Sequence, residues 1–167
     1  MKYILMALLA TFTFQGKKTV PEKEEVLTYL FQSKFCNEDK EEILENTFNF
    51  LLRVCLADSN SYHYPFDNLN DYPKFIVIDS PDKKIRVYSY EAFGGTMKFY
   101  KSYIQYRNSN NQIVFKQLGD TLMPFNDVYS PQYYKISTIS NKYVLHGYWQ
   151  LSSQDIESTK DTININK

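Results

Sequence analysis

The residues that could do chemistry are few and scattered. Histidine occurs at His63 and His146, and cysteine at Cys36 and Cys55. A metal centre needs several such ligands converging, usually with carboxylates to complete the set. Asp58, Asp67 and Asp71 lie near His63 in sequence, but no His-x-x-x-His or Cys-x-x-Cys spacing is present. The run "DNLND" fails as a calcium loop, because Leu69 stands where an oxygen ligand is needed and no glycine follows. These residues read as turn formers, and the sequence points to no metal and no cofactor. Nucleophilic catalysis has no Gly-x-Ser-x-Gly elbow to build on. Cys55 falls on the apolar side of an expected helix, a poor place for a reactive thiolate. Glu91, close to Gly94 and Gly95, could work with Asp79 or Asp82 as an acid–base pair, with His146 nearby on a strand. No residue is singled out as catalytic.

The aromatic content is the better lead. Tyrosine numbers 15, and 13 of these lie between Tyr62 and Tyr148. Tyr88, Tyr90, Tyr100, Tyr106, Tyr148 and Trp149 all fall on expected strands. By strand alternation Tyr88 and Tyr90 share a face with Lys84 and Arg86, opposite Ile85 and Val87. A solvent-facing surface of this kind, with flat rings and polar tips, suits a sugar ring, a peptide or a partner protein. Those six aromatic residues are the expected ligand-binding set. The competing expectation is that the tyrosines only cover the second side of a thin sheet.

The elements that must position these residues follow from periodicity. Pro21 and the acidic run after it suit the start of a helix, and Val26, Leu27, Leu30 and Phe31 give it an apolar face. A second helix begins with Asn37 as its cap. Leu44, Phe48, Leu51, Leu52 and Cys55 recur at helical spacing, as do Ile43, Thr47, Phe50 and Val54. The short join predicts an antiparallel helical hairpin over 21–57. A long connecting loop, 58–73, is rich in Asn, Asp, Ser and Pro. Strand signals then dominate 74–151, as six runs: 74–79, 84–91, 97–107, 112–118, 133–139 and 142–151. A loop with two prolines separates the fourth and fifth, and a polar tail covers 152–167, in which "TININ" is a candidate last strand. No helix lies between strands, so the sheet is antiparallel. The expected fold class is α+β, a helical hairpin packed on an antiparallel meander. Gly94-Gly95 sits between two of these strands without the third glycine and following helix of a phosphate-binding loop, so it reads as a hairpin turn.

Composition limits partners and location. Lys plus Arg and Asp plus Glu each number 19, giving zero formal net charge. Nucleic-acid binding depends on clustered basic residues, so nucleic acid is not an expected partner. Lys2 followed by the uncharged run Tyr3 to Phe14 has the outline of a secretory signal, assigned to 1–16 with cleavage between Thr11 and Lys17. The rest, 17–167, is one domain with no membrane span, placed in the periplasm or outside the cell. Export invites a disulfide. Cys36 and Cys55 at opposite ends of one helix would lie roughly 25 Å apart, too far for a bond.

The segment "SPDKKIRVYSYEAFGGTMKFYKSYIQYR", with its Arg-x-Tyr-Ser and Gly-Gly-Thr-Met, resembles a segment of uncharacterised exported bacterial proteins, over Tyr72 to Gln150. That resemblance implies export and a sheet, and brings no activity with it. The expected function is an exported, non-catalytic domain that binds a partner protein, peptide or glycan through an aromatic sheet face. The alternatives are a small exported hydrolase with a site near Glu91, His146 and the 58–73 loop, or a structural or inhibitor-like module.

Overall fold

The structure, a computed structural model, describes residues 18–122, 127–140 and 142–165. The signal segment expected at 1–16 lies outside these residues. Helices α1 (Val20–Phe35) and α2 (Glu41–Leu56) form the expected hairpin. A short helix, α3 (Asp67–Asn70), follows, and then, among the described residues, nine strands. Four make a meander in the order β1 (Phe75–Asp79), β2 (Ile85–Phe93), β3 (Phe99–Arg107), β4 (Ile113–Leu118). A two-stranded ribbon pairs β5 (Asp120–Leu122) with β6 (Asp127–Tyr129). A second sheet runs β7 (Gln132–Ile139), β8 (Lys142–Gln150), β9 (Ile156–Ile163). All pairings are antiparallel.

The molecule is therefore layered: helical hairpin, four-stranded sheet, three-stranded sheet. One face of the four-stranded sheet carries Tyr88, Tyr90 and Tyr103 and packs against Leu27, Phe31, Phe48 and Leu52 of the helices. The other carries Ile85, Val87 and Ile104 and packs against Tyr133, Ile136, Tyr143 and Leu145. The alternation read from the sequence holds, but the face expected in solvent lies beneath the helices. Tyr88, Tyr90 and Tyr100 are buried to within 1% of their surface, which corrects their assignment to an exposed platform. A layer of sheet that the sequence placed within one meander covers the side opposite the helices instead.

Other boundaries shift for local reasons. Cys36 ends α1 rather than opening α2, and the Asn37 amide donates back to Ser33 O at 2.9 Å instead of capping the second helix. A 3₁₀ turn over Glu38–Lys40 leads into α2. Both cysteines are free thiols. On α2 one apolar stripe is buried, while Ile43, Phe50 and Val54 stay exposed. The 58–73 segment is pinned down: buried Glu24 of α1 accepts the Tyr64 hydroxyl at 2.6 Å and the Leu69 amide at 3.1 Å. Arg86 spans Asp79 and the Tyr64 carbonyl. The polar tail, in which 162–166 is the candidate last strand, contains β9, which begins earlier: Ile156–Ile163 pair with Gln150–Tyr143 of β8.

Gly94 and Gly95 do lie in the β2–β3 turn. Gly95 has φ +120°, a region closed to most side chains. A register shift between Glu91 and Phe93 marks a bulge just before it.

Candidate functional site

The helix-side face of the sheet is closed by a polar network. Lys34 and Glu45, both buried, pair at 2.8 Å across the hairpin. Glu45 also accepts the Tyr90 hydroxyl at 2.9 Å and lies 3.4 Å from Lys101, which reaches Asp127 at 2.7 Å. Burial lowers the Lys34 ammonium against the pull of Glu45. Tyr88 donates to Gln105 and Tyr103 to Asn49. Burial raises all of these phenols, Tyr90 most plainly, so each hydroxyl is held as a donor. Every polar tip on this face is therefore spoken for within the fold.

The opposite side is open at one corner. Three sheets converge there because Gln150 of β8 bridges Lys98, just ahead of β3, while Tyr100 of β3 bridges Ser130, just after β6. Buried hydroxyls tie the corner: Ser89 bonds Ser102 at 2.8 Å, Ser130 donates to Ser102 at 2.7 Å, and the Tyr133 amide donates to Ser89 at 3.1 Å. Between the sheets lies a cleft of about 380 Å³. Tyr133 and Trp149 give it aromatic surface, Tyr129 borders it while its ring packs against Phe99 in the helix-side core, and Asp120, Thr159 and Asp161 supply polar atoms.

Two glycines shape the cleft. Gly119 has φ +108°, and a Cβ there would lie 1.9 Å from Tyr129 O, so β4 turns directly against β6. A Cβ on Gly147 would lie 2.9 Å from the Tyr133 ring, so Tyr133 approaches β8 this closely only because that position is bare. Tyr133 donates its hydroxyl to Asp161. Burial, then the Asp161 carboxylate, raises this phenol, which fixes the direction of the bond. The wall is thus set before any ligand arrives, which lowers the ordering cost of binding.

Of the six aromatic residues expected at a ligand, only Trp149 lines this cleft. Tyr148 and Tyr106 are half-buried, and Tyr148 packs between the rings of Tyr100 and Tyr134. Tyr129, Tyr133, Asp120 and Asp161 escaped sequence reasoning. Their one available signal was Gly119 beside Asp120 and Gly147 beside Trp149, two of the five glycines in the chain.

The hydrolase residues are kept apart. Glu91 is buried, with Lys74 and Lys98 each at 3.0 Å, at the turn end of β2. His146 lies on the outer side of β8, where its Nε2 is 2.8 Å from Ser137 Oγ. His63 stacks edge-on against Tyr62. A second hollow, beside α2, includes Phe93, Phe99 and Asp127, whose carboxylate already holds Lys101. Among the described residues no helix is long and apolar enough to cross a membrane. Comparison with protein-family models, curated proteins and solved structures finds no match for the chain.

Proposed function

We propose that this chain is an exported, non-catalytic binding domain whose ligand enters the cleft at Trp149. The observation that carries this reading is the pairing of preset aromatic surface, Trp149 with Tyr133, with the carboxylates of Asp120 and Asp161 at the same opening. Aromatic rings give contact area at small entropic cost, and aspartates beside them accept hydrogen bonds from hydroxyls, amides or ammonium groups. A glycan, a peptide or a segment of a partner protein meets that description. The export part rests on Lys2 and the uncharged run after it. The hydrolase alternative loses ground because Glu91 is engaged by two lysines and His146 faces away on another sheet.

Trp149 is the sole tryptophan, and it lines the cleft while packing on the helix-side core, so its emission reports on that one place. A panel of short peptides and neutral oligosaccharides titrated into the full chain should include a member that shifts the emission saturably. Asp120→Asn should weaken that binding without altering the melting temperature. If no member shifts the emission, the cleft is not a binding site for these classes.

A further inference from the structure

We infer that the ligand is an extended basic peptide segment, which adds to the free edge of β9 as a further strand. This rests on the cleft being the binding site and names what occupies it. In the three-stranded sheet β9 is an edge, and among the described residues its backbone pairs only with β8. It runs for eight residues, Ile156–Ile163, and is exposed over most of its length. In an antiparallel edge strand alternate residues turn their N–H and C=O groups outward, which is a template for one more strand. Strand addition of this kind gives affinity through the backbone and specificity through alternate side chains.

The cleft and this edge are one surface. Thr159, Asp161 and Ile163 line the cleft and belong to β9. Glu157 is two residues before Thr159, so alternation puts it on the same face, and it is paired with Trp149 of β8. A strand laid along β9 would place every second side chain beside Glu157, Thr159 and Asp161, with Asp120 across the opening. Among the described residues no lysine or arginine lines the cleft. The complement is a lysine or arginine opposite Glu157 and another opposite Asp161, four residues apart, with a small apolar residue between them opposite Thr159.

A second copy of this chain fits poorly. Two β9 strands related by a two-fold axis must place one residue opposite its own copy. Centred on Lys160 or Asp161, the pairing sets like charges face to face. Centred on Thr159, it sets Glu157 against Asp161, and centred on Ser158, Asp155 against Asp161. Like charges directly opposite are destabilising, so registers centred on the middle of β9 are guarded against self-pairing, and those centred on Thr162 or Ile163, which escape the clash, pair only its last residues.

The test uses the full chain and an acetylated, amidated heptapeptide. Threonine alternates in it with lysine, valine and lysine, so that the second set shares one face. Binding is read from Trp149 emission. The lysine peptide should bind at least tenfold more tightly than its glutamate counterpart, and exposed Glu157→Lys should cut its affinity tenfold or more. N-methylation of alternate peptide amides should abolish binding in one phase and leave it intact in the other, since only one phase faces β9. Equal tolerance of both phases would overturn strand addition while leaving a basic-ligand cleft. An oligosaccharide that shifts Trp149 where the peptide does not would overturn this inference and leave the cleft reading standing. Silence from both would remove the two together. A chain that dimerises in sedimentation, with the lysine peptide failing to compete with the dimer, would give the edge to a second copy instead.

Discussion

Two aromatic surfaces lie on opposite sides of the same sheet, and only one is open. Beneath the helices, Tyr88, Tyr90 and Tyr103 are buried and their hydroxyls end on Gln105, Glu45 and Asn49. At the sheet junction Tyr133 is equally buried, yet its ring and hydroxyl form the wall of a cleft shared with half-buried Trp149. The residue type does not separate them. What does is the element laid on top. A helical hairpin covers its face continuously, whereas a three-stranded sheet that joins the first at one corner leaves a wedge. The proposed site lies in the wedge, because the sheet hydroxyls beneath the helices, those of Tyr88, Tyr90 and Tyr103, already have partners within the fold.

The largest expected effect comes from alkali, which attacks the closed face. Buried phenols there are raised above the unfolded value of about 10. A group whose folded pKa is raised contributes stability that is complete below the unfolded pKa and is lost as pH climbs toward the folded one. The phenol of Tyr129, in the same helix-side core, is pushed up to about 12, and Tyr143 between the two sheets is raised equally. The chain should therefore lose stability steeply above about pH 10, with most phenolate absorbance developing together with the loss of circular dichroism. Phenolate signal from most tyrosines in a chain that is still folded would mean that the helix-side face is open.

Next is Glu45→Ala, which leaves Lys34 buried without its carboxylate. Breaking a buried ion pair typically costs about 3–5 kcal/mol. Urea denaturation should show a loss of that size, with no change in ligand affinity for the molecules that remain folded. A smaller step is Gly147→Ala on the open side. The new Cβ would press on the Tyr133 ring, the Gln132 carbonyl and the Pro131 ring, all at about 3 Å or less. Overpacking of this kind costs roughly 1–3 kcal/mol. It should also weaken ligand binding, which Glu45→Ala does not. The smallest effect on stability is expected from Asp120→Asn, an exposed position, within about 0.5 kcal/mol. A thermal melt checks this, and a loss comparable with that of Glu45→Ala would erase the distinction between closed and open faces.

The sequence carried the helical hairpin, the antiparallel strands and the α+β class, because each rests on local periodicity. Ile85 and Val87 against Tyr88 and Tyr90 declared two faces correctly. It could not say which face the helices would choose, since both are able to bury apolar area and a tyrosine hydroxyl is satisfied equally by water or by Glu45. β9 was nearly invisible. Its "IESTKDTI" has little apolar alternation, and it becomes a strand because β8 offers eight paired positions. The cleft was hidden for the same reason. Asp120, Tyr133 and Asp161 are far apart in the chain and meet only through the way two sheets join, which no local pattern encodes.

The bulge at the end of β2 carries a consequence for the order of folding. Lys34 of the first helix donates to the Glu91 carbonyl at 2.6 Å and the Ala92 carbonyl at 3.0 Å, closing acceptors beside the interrupted ladder from 57 and 58 residues away. A hairpin is ordinarily a local event, complete once its turn is made. Here the strands can zip near their far ends, but the tip beside Gly94 and Gly95 stays unsealed until α1 has docked. Protection of the amides around that turn should therefore appear late in refolding, in step with the helices and not with the rest of its own hairpin.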